Sequence, residues 1–492
     1  MSRELILGID VGTTAVKAGL VAPDGRVLAA FAEPYPTRRG VPGVVEQDPE
    51  DWVRLALAAI ERVAAGEHGG DVVAIGLCSQ VNTHVFVGPD GAPLRPAILW
   101  QDGRAGPEAA ELDARVDAAT KADWWGAPMP IDASHALSRM LWVARHEPDV
   151  WERTRRVMLP KDYCLMRLTG EVASDPLSNV GLVGPDLAYV PAALDLVPGA
   201  AERMPPLVAM TQVAGRMRAD GPLAGRPVVC GTMDAWAGLV GAGGAREGAA
   251  VYLSGTSEVL GISSARVVPT AGAIVFPEAE GVRVHAAPTQ SGGDAQLWFA
   301  EAAGLTPRAM SDLVAGTPRG AATPLFLPQL EGERAPLWDP DLRGAFLGLS
   351  RSSGPGDMAR AVYEGVALSA RHALETLRRS AGAAPGPVTC GGGGFRSEPW
   401  ARIRADVLGV PLRVLAEGEP GVLGAASLAA VGAGVQPGLA AANAALVRRG
   451  EPIEPRPGTR ALYDDLFGLY LEAVAANAGL GRRLTRIGGD GA

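Results

Sequence analysis

The sequence predicts an α/β chain built as two related domains, and two observations predict it. A glycine-threonine turn occurs twice, as Ile9-Asp10-Val11-Gly12-Thr13-Thr14 and as Tyr252-Leu253-Ser254-Gly255-Thr256-Ser257, with Thr13 and Thr256 lying 243 residues apart in a chain of 492. Each copy follows an apolar run of strand character, and helical segments follow in both halves. Each turn offers backbone N–H groups and hydroxyls. Two such turns facing across a cleft can hold one polyphosphate from both sides. The division is expected at the midpoint, giving domains of residues 1–244 and 245–492.

The elements follow in order. Residues 5–9 form an apolar strand, 15–21 a second after the Gly12 turn, and 27–31 a third after the Pro23-Asp24-Gly25 hairpin turn. Asp48-Pro49-Glu50-Asp51 opens a helix: Asp48 caps it, Pro49 suits the first helical position, and the acids favour the N-terminal dipole. Val53, Ala56, Leu57, Ile60 and Val63 supply its apolar face. Residues 72–77 read as a buried strand, followed by a hairpin around Pro89-Asp90-Gly91. In the second half, strands at 249–253 and 259–263 flank the second turn, 357–379 reads as a long alanine-rich helix, and the strand 388–390 runs into four glycines, 391–394. The tail after Arg483 is expected to fray.

Hydrophobic residues make up 47% and charged residues 20%, ordinary for a globular chain, and the net charge of −9 argues against nucleic acid or an anionic membrane as partner. No apolar run reaches bilayer length, and no leader-like segment opens the chain. Cys78, Cys164, Cys230 and Cys390 lack metal-ligand spacing, so a reducing cytoplasm is the expected compartment. The six histidines show no zinc spacing either.

Asp10 ends a buried strand beside the first turn. A carboxylate there can hold hydrated Mg²⁺ against phosphates, or can simply cap the turn. Asp234, in Val228-Val229-Cys230-Gly231-Thr232-Met233-Asp234, sits at a strand-to-helix junction, where it can be catalytic, cap the next helix, or both. The four-glycine run admits close backbone approach to a flat ligand or makes a mobile turn. Neither a dinucleotide fingerprint nor a P-loop is present. Trp100 closes the apolar run 96–100 and can be core or the floor of a sugar site.

Together these residues resemble the FGGY family of carbohydrate kinases, of the actin-like, Hsp70-like ATPase superfamily, over about residues 4–470. The family's C-terminal signature matches Gly344-Ala345-Phe346-Leu347-Gly348-Leu349 and resumes at Asp357-Met358-Ala359-Arg360-Ala361-Val362-Tyr363-Glu364. Val45-Glu46-Gln47-Asp48-Pro49, Leu99-Trp100-Gln101-Asp102-Gly103-Arg104, Leu159-Pro160-Lys161-Asp162-Tyr163, Thr169-Gly170-Glu171, Ala173-Ser174-Asp175 and Gly332-Glu333-Arg334 look xylulokinase-like.

The resemblance implies two actin-like (ribonuclease H-like) domains with mixed sheets flanked by helices, with ATP and sugar in the cleft between them. It implies that Asp234 is the catalytic base and that Asp10, with Asp234, attends Mg²⁺. Gly12, Thr13, Thr14, Gly255 and Thr256 fall on phosphate loops, and Gly393, Gly394 and Ser397 on the adenosine loop. Gln80, Val81, Asn82, His84, Trp100 and Asp234 fall on the sugar pocket. Three positions depart from the family pattern. Asn82 stands where xylulokinases carry histidine, with His84 two residues on and on the same side of an extended segment. Arg139 stands where the family's N-terminal signature has lysine, and the glycine run has four members where three are usual.

The implied reaction is ATP-dependent phosphorylation of a terminal hydroxyl on a small ketose, first D-xylulose to D-xylulose 5-phosphate. Ribulose or a tetritol is the alternative that Val81-Asn82 raises. Closure about a hinge near residues 240–250 is expected to exclude water. A non-catalytic actin-like nucleotide switch is the rival from another class; Asp234, Gln80 and Trp100 speak against it. ATP and Mg²⁺ are the implied cofactors, a sugar or polyol the partner, and a homodimer follows by analogy only.

Overall fold

The computed structural model describes residues 4–384 and 386–489. It divides into two compact units. One holds the residues up to Gly241 with Pro277–Gly281 and Glu417–Arg448; the other holds Ala242–Phe276, Val282–Ala416 and the chain from Arg449 on. The sequence places one cut at 244/245. The structure changes unit close to that point, but residues 417–448 return to the first unit.

In the first unit β1 (Leu5–Val11), β2 (Ala15–Val21) and β3 (Val27–Pro34) form an antiparallel meander. With β4 (Val72–Ser79), β5 (Val213–Arg216) and β6 (Pro227–Met233) they complete a six-stranded sheet in the order β3-β2-β1-β4-β6-β5. β4 joins β1 and β6 joins β4 in parallel, while β5 is an antiparallel edge. A parallel addition needs a crossover, and the helix Pro49–Ala64 lies on the first one. Asp48 caps that helix, accepting from the Glu50 N–H at 3.0 Å, and its Trp52, Val53, Ala56, Ile60 and Val63 are buried.

The second unit repeats the path. β7 (Ala250–Ser254), β8 (Glu258–Ser263), β9 (Ile274–Val275), β10 (Val284–Thr289), β11 (Val388–Gly391), β12 (Leu412–Leu415) and β13 (Arg449–Ile453) run in the order β9-β10-β8-β7-β11-β12-β13. The meander β10-β8-β7 again precedes two parallel additions, β11 and β12. The helix Pro355–Ala381 packs on this sheet through Val362, Val366, Ala370 and Leu374, all buried. The last helix, Thr459–Gly489, continues past Arg483, so the expected fraying does not begin there; the final three residues lie outside the described ones. Among the described residues no helix is long and apolar enough to cross a membrane.

What positions the first unit's strand ends is the helix Pro420–Gly432, which lies on β1, β4 and the helix Asp234–Gly241. Glycines make that approach possible. A Cβ at Gly76 of β4 would lie 2.0 Å from the Ala425 carbonyl oxygen, and one at Gly424 would lie 1.9 Å from that of Ala237. Backbone cannot yield as a flexible side chain does, so Gly424→Ala is expected to destabilise the protein by about 1–3 kcal/mol or more. A lower midpoint in urea unfolding would register it; an unchanged midpoint would mean the helices slide apart freely.

Candidate active site

Asp10 is the penultimate residue of β1, in register with Lys17 on β2 and Cys78 on β4. Asp234 follows Met233, the last residue of β6, which is in register with Ser79 on β4. Both carboxylates therefore emerge at the carboxyl ends of parallel strands flanking β4, the edge where α/β sheets place their ligands. Asp234 is itself the first residue of the helix Asp234–Gly241 rather than the residue before it, and its Oδ1 accepts from the Ala235 N–H at 2.7 Å.

Both carboxyls are partly buried, and both hold protons more tightly than usual. Burial pushes Asp10 up to about 6, against the opposing pull of Lys17. Burial first, then the charge of Asp10, pushes Asp234 up to about 7. Gly421, at the start of the helix Pro420–Gly432, leaves room for Asp10, since a Cβ there would come within 2.5 Å of its Oδ2. Asp10 Oδ1 is buried and has no hydrogen-bond partner. Among the described residues no three His, Cys, Asp or Glu gather as a metal cage. That donor set suits Mg²⁺ carried on phosphate oxygens, which needs only one or two carboxylates.

The first glycine turn is the β1–β2 hairpin. The Gly12 N–H donates to the Ala15 carbonyl at 3.2 Å, Thr13 is partly exposed and Thr14 exposed. Trp100, 36% exposed, stands beside it and donates from Nε1 to Thr13 Oγ1 at 3.1 Å. The expected sugar loop is more enclosed than its sequence implies. Gln80 is 1% exposed, its amide spent between Gln47 and Thr83. Val81 and Asn82 remain partly accessible. Asn82 has φ +51° and donates to Ser134 Oγ at 3.2 Å.

His84, expected to stand beside Asn82, is 5% exposed, and its Nδ1 lies 3.1 Å from Arg139 Nη1. Burial, then Arg139, holds its pKa well below the ordinary histidine value, so the ring is neutral. Arg139 is fully buried and donates to the carbonyls of Asn82, Ile98 and Leu99. Its forked guanidinium thus ties the loop at 82–84 to the segment that ends in Trp100, a geometry a lysine ammonium does not match.

Further residues carry the site from beneath. Lys161 is fully buried between Asp162 (2.6 Å) and Asp175 (2.8 Å). Its N–H donates to Ser79 Oγ at 3.1 Å, and Asp175 accepts from Thr232 Oγ1 at 2.7 Å, two residues before Asp234. This network holds the ends of β4 and β6. Its sequence signal was charge inside otherwise apolar segments, and the Lys161-Asp162 and Ser174-Asp175 stretches carried it without a role.

In the second unit Gly255 and Thr256 are exposed at the β7–β8 hairpin, where the Gly255 N–H donates to the Ser257 carbonyl at 2.9 Å. Arg404, fully buried against Glu258 at 2.5 Å, donates to Ser254 Oγ at 2.8 Å and to the Gly394 carbonyl at 2.9 Å. It thereby joins that hairpin to the glycine run. Gly392 has φ +93°, and a Cβ there would lie 2.4 Å from the Ser254 carbonyl oxygen. Gly393 is exposed. The Ser397 hydroxyl is engaged, accepting from the Trp400 N–H at 3.4 Å and pairing with Ser311 Oγ at 2.7 Å.

Two family profiles cover most of the chain: FGGY family of carbohydrate kinases, N-terminal domain, over residues 5–241, and its C-terminal domain over 250–433. The chain belongs to the FGGY family of carbohydrate kinases. It is thus a phosphotransferase with an alcohol acceptor and a small sugar substrate, and ATP is the co-substrate that the family implies. Xylulose kinase from Escherichia coli (strain K12) is 34% identical, covering 87% of this chain and 90% of its own length. One from Staphylococcus epidermidis is 30% identical, covering 96% and 97%. Among solved structures, xylulose kinase from Rhodospirillum rubrum matches with TM-score 0.86 at 30% identity over 97% of this chain and 100% of its own. Gluconate kinase from Lactobacillus acidophilus matches with TM-score 0.86 at 25% identity over 97% and 99%. These relatives share the actin-like architecture of two α/β units.

In this FGGY kinase Arg139→Lys is expected to loosen the tie between the loop at 82–84 and residues 98–99: the Ile98 and Leu99 carbonyls keep the His84 and Asp102 N–H groups as donors, whereas the Asn82 carbonyl depends on the guanidinium. A loss of about 1–3 kcal/mol in stability should come with a raised sugar KM and a nearly unchanged ATP KM. Equal changes in both KM values would mean that Arg139 does not act through the loop at 82–84.

Proposed function

We propose that the protein transfers the γ-phosphate of ATP to the terminal hydroxyl of D-xylulose, giving D-xylulose 5-phosphate and ADP. The observation that carries this reading is Asp234, a partly buried carboxyl at a strand end with its pKa pushed up to about 7. A general base works best when its pKa lies near the working pH. Asp234 takes the proton of the sugar hydroxyl as that oxygen bonds to the γ-phosphorus; the bond to the β–γ bridging oxygen breaks and ADP leaves with it. Trp100, Val81 and Asn82 provide the exposed wall for the sugar, and His84 and Gln80 stand behind it. Gly12, Thr13 and Thr14 hold phosphate in the first unit. Gly255, Thr256, Gly393 and Gly394 provide nucleotide contacts in the second, with Ser397 shaping the loop as a helix cap. Asp10, with Asp234, would attend Mg²⁺, which would supply neutralisation of phosphate charge. D-xylulose is favoured over other ketoses by the names of the relatives that align over most of the chain. The cytoplasm suits a substrate of this kind.

A coupled ADP-release assay tests the reading on D-xylulose, D-ribulose, L-ribulose and tetritols. D-xylulose should be the strongest substrate, and Asp234→Ala should lower kcat by about 10²–10⁴-fold. ATP binding with no sugar turned over would overturn it in favour of a nucleotide switch. The pH profile gives a second check. Asp234 must be ionised to accept a proton, so kcat/KM should rise with pH up to about 7 and then level off. Because the Asp10 charge raises the Asp234 pKa, Asp10→Asn should move that limb to lower pH.

Stability responds in the opposite sense to the same shift. The folded-state pKa of Asp234 lies above its unfolded value near 3.8, so its contribution is present at low pH and is lost as pH rises through about 7. Asp234→Asn should therefore melt higher than the parent at pH 8 and close to it at pH 4. A lower Tm at pH 8 would contradict this account.

A further inference from the structure

A single hydrogen-bond circuit joins Trp100 to the first glycine turn by two routes. By the direct route, Trp100 Nε1 donates to Thr13 Oγ1 at 3.1 Å. By the other, the Trp100 backbone N–H donates to Thr83 Oγ1 at 3.2 Å, and Thr83 Oγ1 donates to Gln80 Oε1 at 3.3 Å. Gln80 Nε2 then donates to Gln47 Oε1 at 2.9 Å, and Gln47 Nε2 donates to the Thr13 carbonyl at 2.7 Å. Gln47, Gln80 and Thr83 are each buried to within 1%.

The ends of this chain fix its direction. A backbone N–H can only donate and a carbonyl can only accept, so the two amides between them have one orientation; the Thr83 hydroxyl, which accepts from Trp100, gives its proton to Gln80 Oε1 at 3.3 Å or to the Val81 carbonyl at 3.5 Å. The second Gln47 Nε2 proton goes to Thr37 Oγ1 at 2.8 Å, so that amide has no freedom to flip. Bonds pointing head to tail polarise one another.

The consequence falls on the Thr13 hydroxyl. A threonine hydroxyl has one proton to give and two lone pairs. The indole N–H of Trp100 occupies the acceptor side, and no protein acceptor takes the proton among the described residues. We propose that this circuit presets the Thr13 hydroxyl as a donor to a phosphate oxygen, which makes Trp100 and Gln47 positioning residues for the nucleotide. The proposal rests on the reading of Thr13 as a phosphate contact. It gives Trp100 a part in nucleotide binding besides its place in the sugar wall, and it gives buried Gln47 a part that its sequence did not announce.

The test is the affinity of the full chain for Mg²⁺ with the non-hydrolysable analogue AMP-PNP, measured by calorimetry without sugar. Trp100→Phe keeps an aromatic ring at a partly exposed site and removes only the indole donor. It should weaken AMP-PNP by about 3- to 10-fold, the effect of one hydrogen bond. In a Thr13→Val background the same change should cost about 2-fold or less, because its target is already gone. Gln47→Met should weaken AMP-PNP to a similar degree. Equal weakening by Trp100→Phe in both backgrounds, or none in either, would overturn the proposal while leaving Thr13 as a phosphate contact. If Thr13→Val alone leaves AMP-PNP binding unchanged, the phosphate reading of Thr13 falls and the proposal falls with it. A shift in sugar KM alone, with AMP-PNP affinity constant, would make Trp100 a sugar contact only and would also overturn it.

Discussion

The backbone-to-backbone contact of the helix Pro420–Gly432 with β1, β4 and the helix Asp234–Gly241 is the constraint on which the first unit depends. The chain leaves this unit at Gly241 and, apart from Pro277–Gly281, returns to it only at Glu417, so the contact joins segments far apart in sequence. Gly76 and Gly424 let it form without a side chain between the surfaces. Its N-terminal end meets Asp10 at Gly421, while its flank supports the helix that Asp234 begins. One close-packed helix therefore bears on both carboxylates, and interiors packed to this density do not adjust locally when a methyl group is added.

The same packing explains why these carboxyls are unusual. Removing water from a carboxylate costs free energy unless charge or hydrogen bonds replace it. Asp10 has Lys17 as a partial counterweight, itself paired with Glu419 at 2.8 Å. Asp234 has the backbone N–H groups of Ala235 and of itself, and an unfavourable neighbour in Asp10. The fold holds these groups in place through other interactions, including the buried Lys161 bridging Asp162 and Asp175.

Much of this was legible in the sequence because the local signals were strong. The apolar runs before Gly12 and Gly255, the Asp48-Pro49 cap and the alanine-rich stretch at 357–379 all became the elements they suggested. The return of residues 417–448 to the first unit was not legible, because an apolar helix such as Pro420–Gly432 carries no mark of which sheet it covers. Side-chain direction was the other gap. Gln80 and His84 occur in the expected loop, yet one turns into a buried circuit and the other against Arg139. Motif spacing fixes neighbours along the chain, whereas burial depends on partners such as Gln47 and Arg139 that lie 33 and 55 residues away.

The two units share a strand path but not a chemistry, and the glycine turns show why. Counting back three residues from Thr13 reaches Asp10; the same step from Thr256 reaches Leu253. Asp10 pairs with Lys17 and Cys78, whereas Leu253 pairs with Val259 and Gly391. The second copy thus keeps the hairpin and its N–H groups but has no carboxylate at that strand position. It puts its buried charge lower, in the Arg404–Glu258 pair that joins the hairpin to the glycine run. A duplicated fold gives two similar turns. The carboxylate at the strand end occurs in one of them, so the two turns differ in charge although their backbones follow the same path.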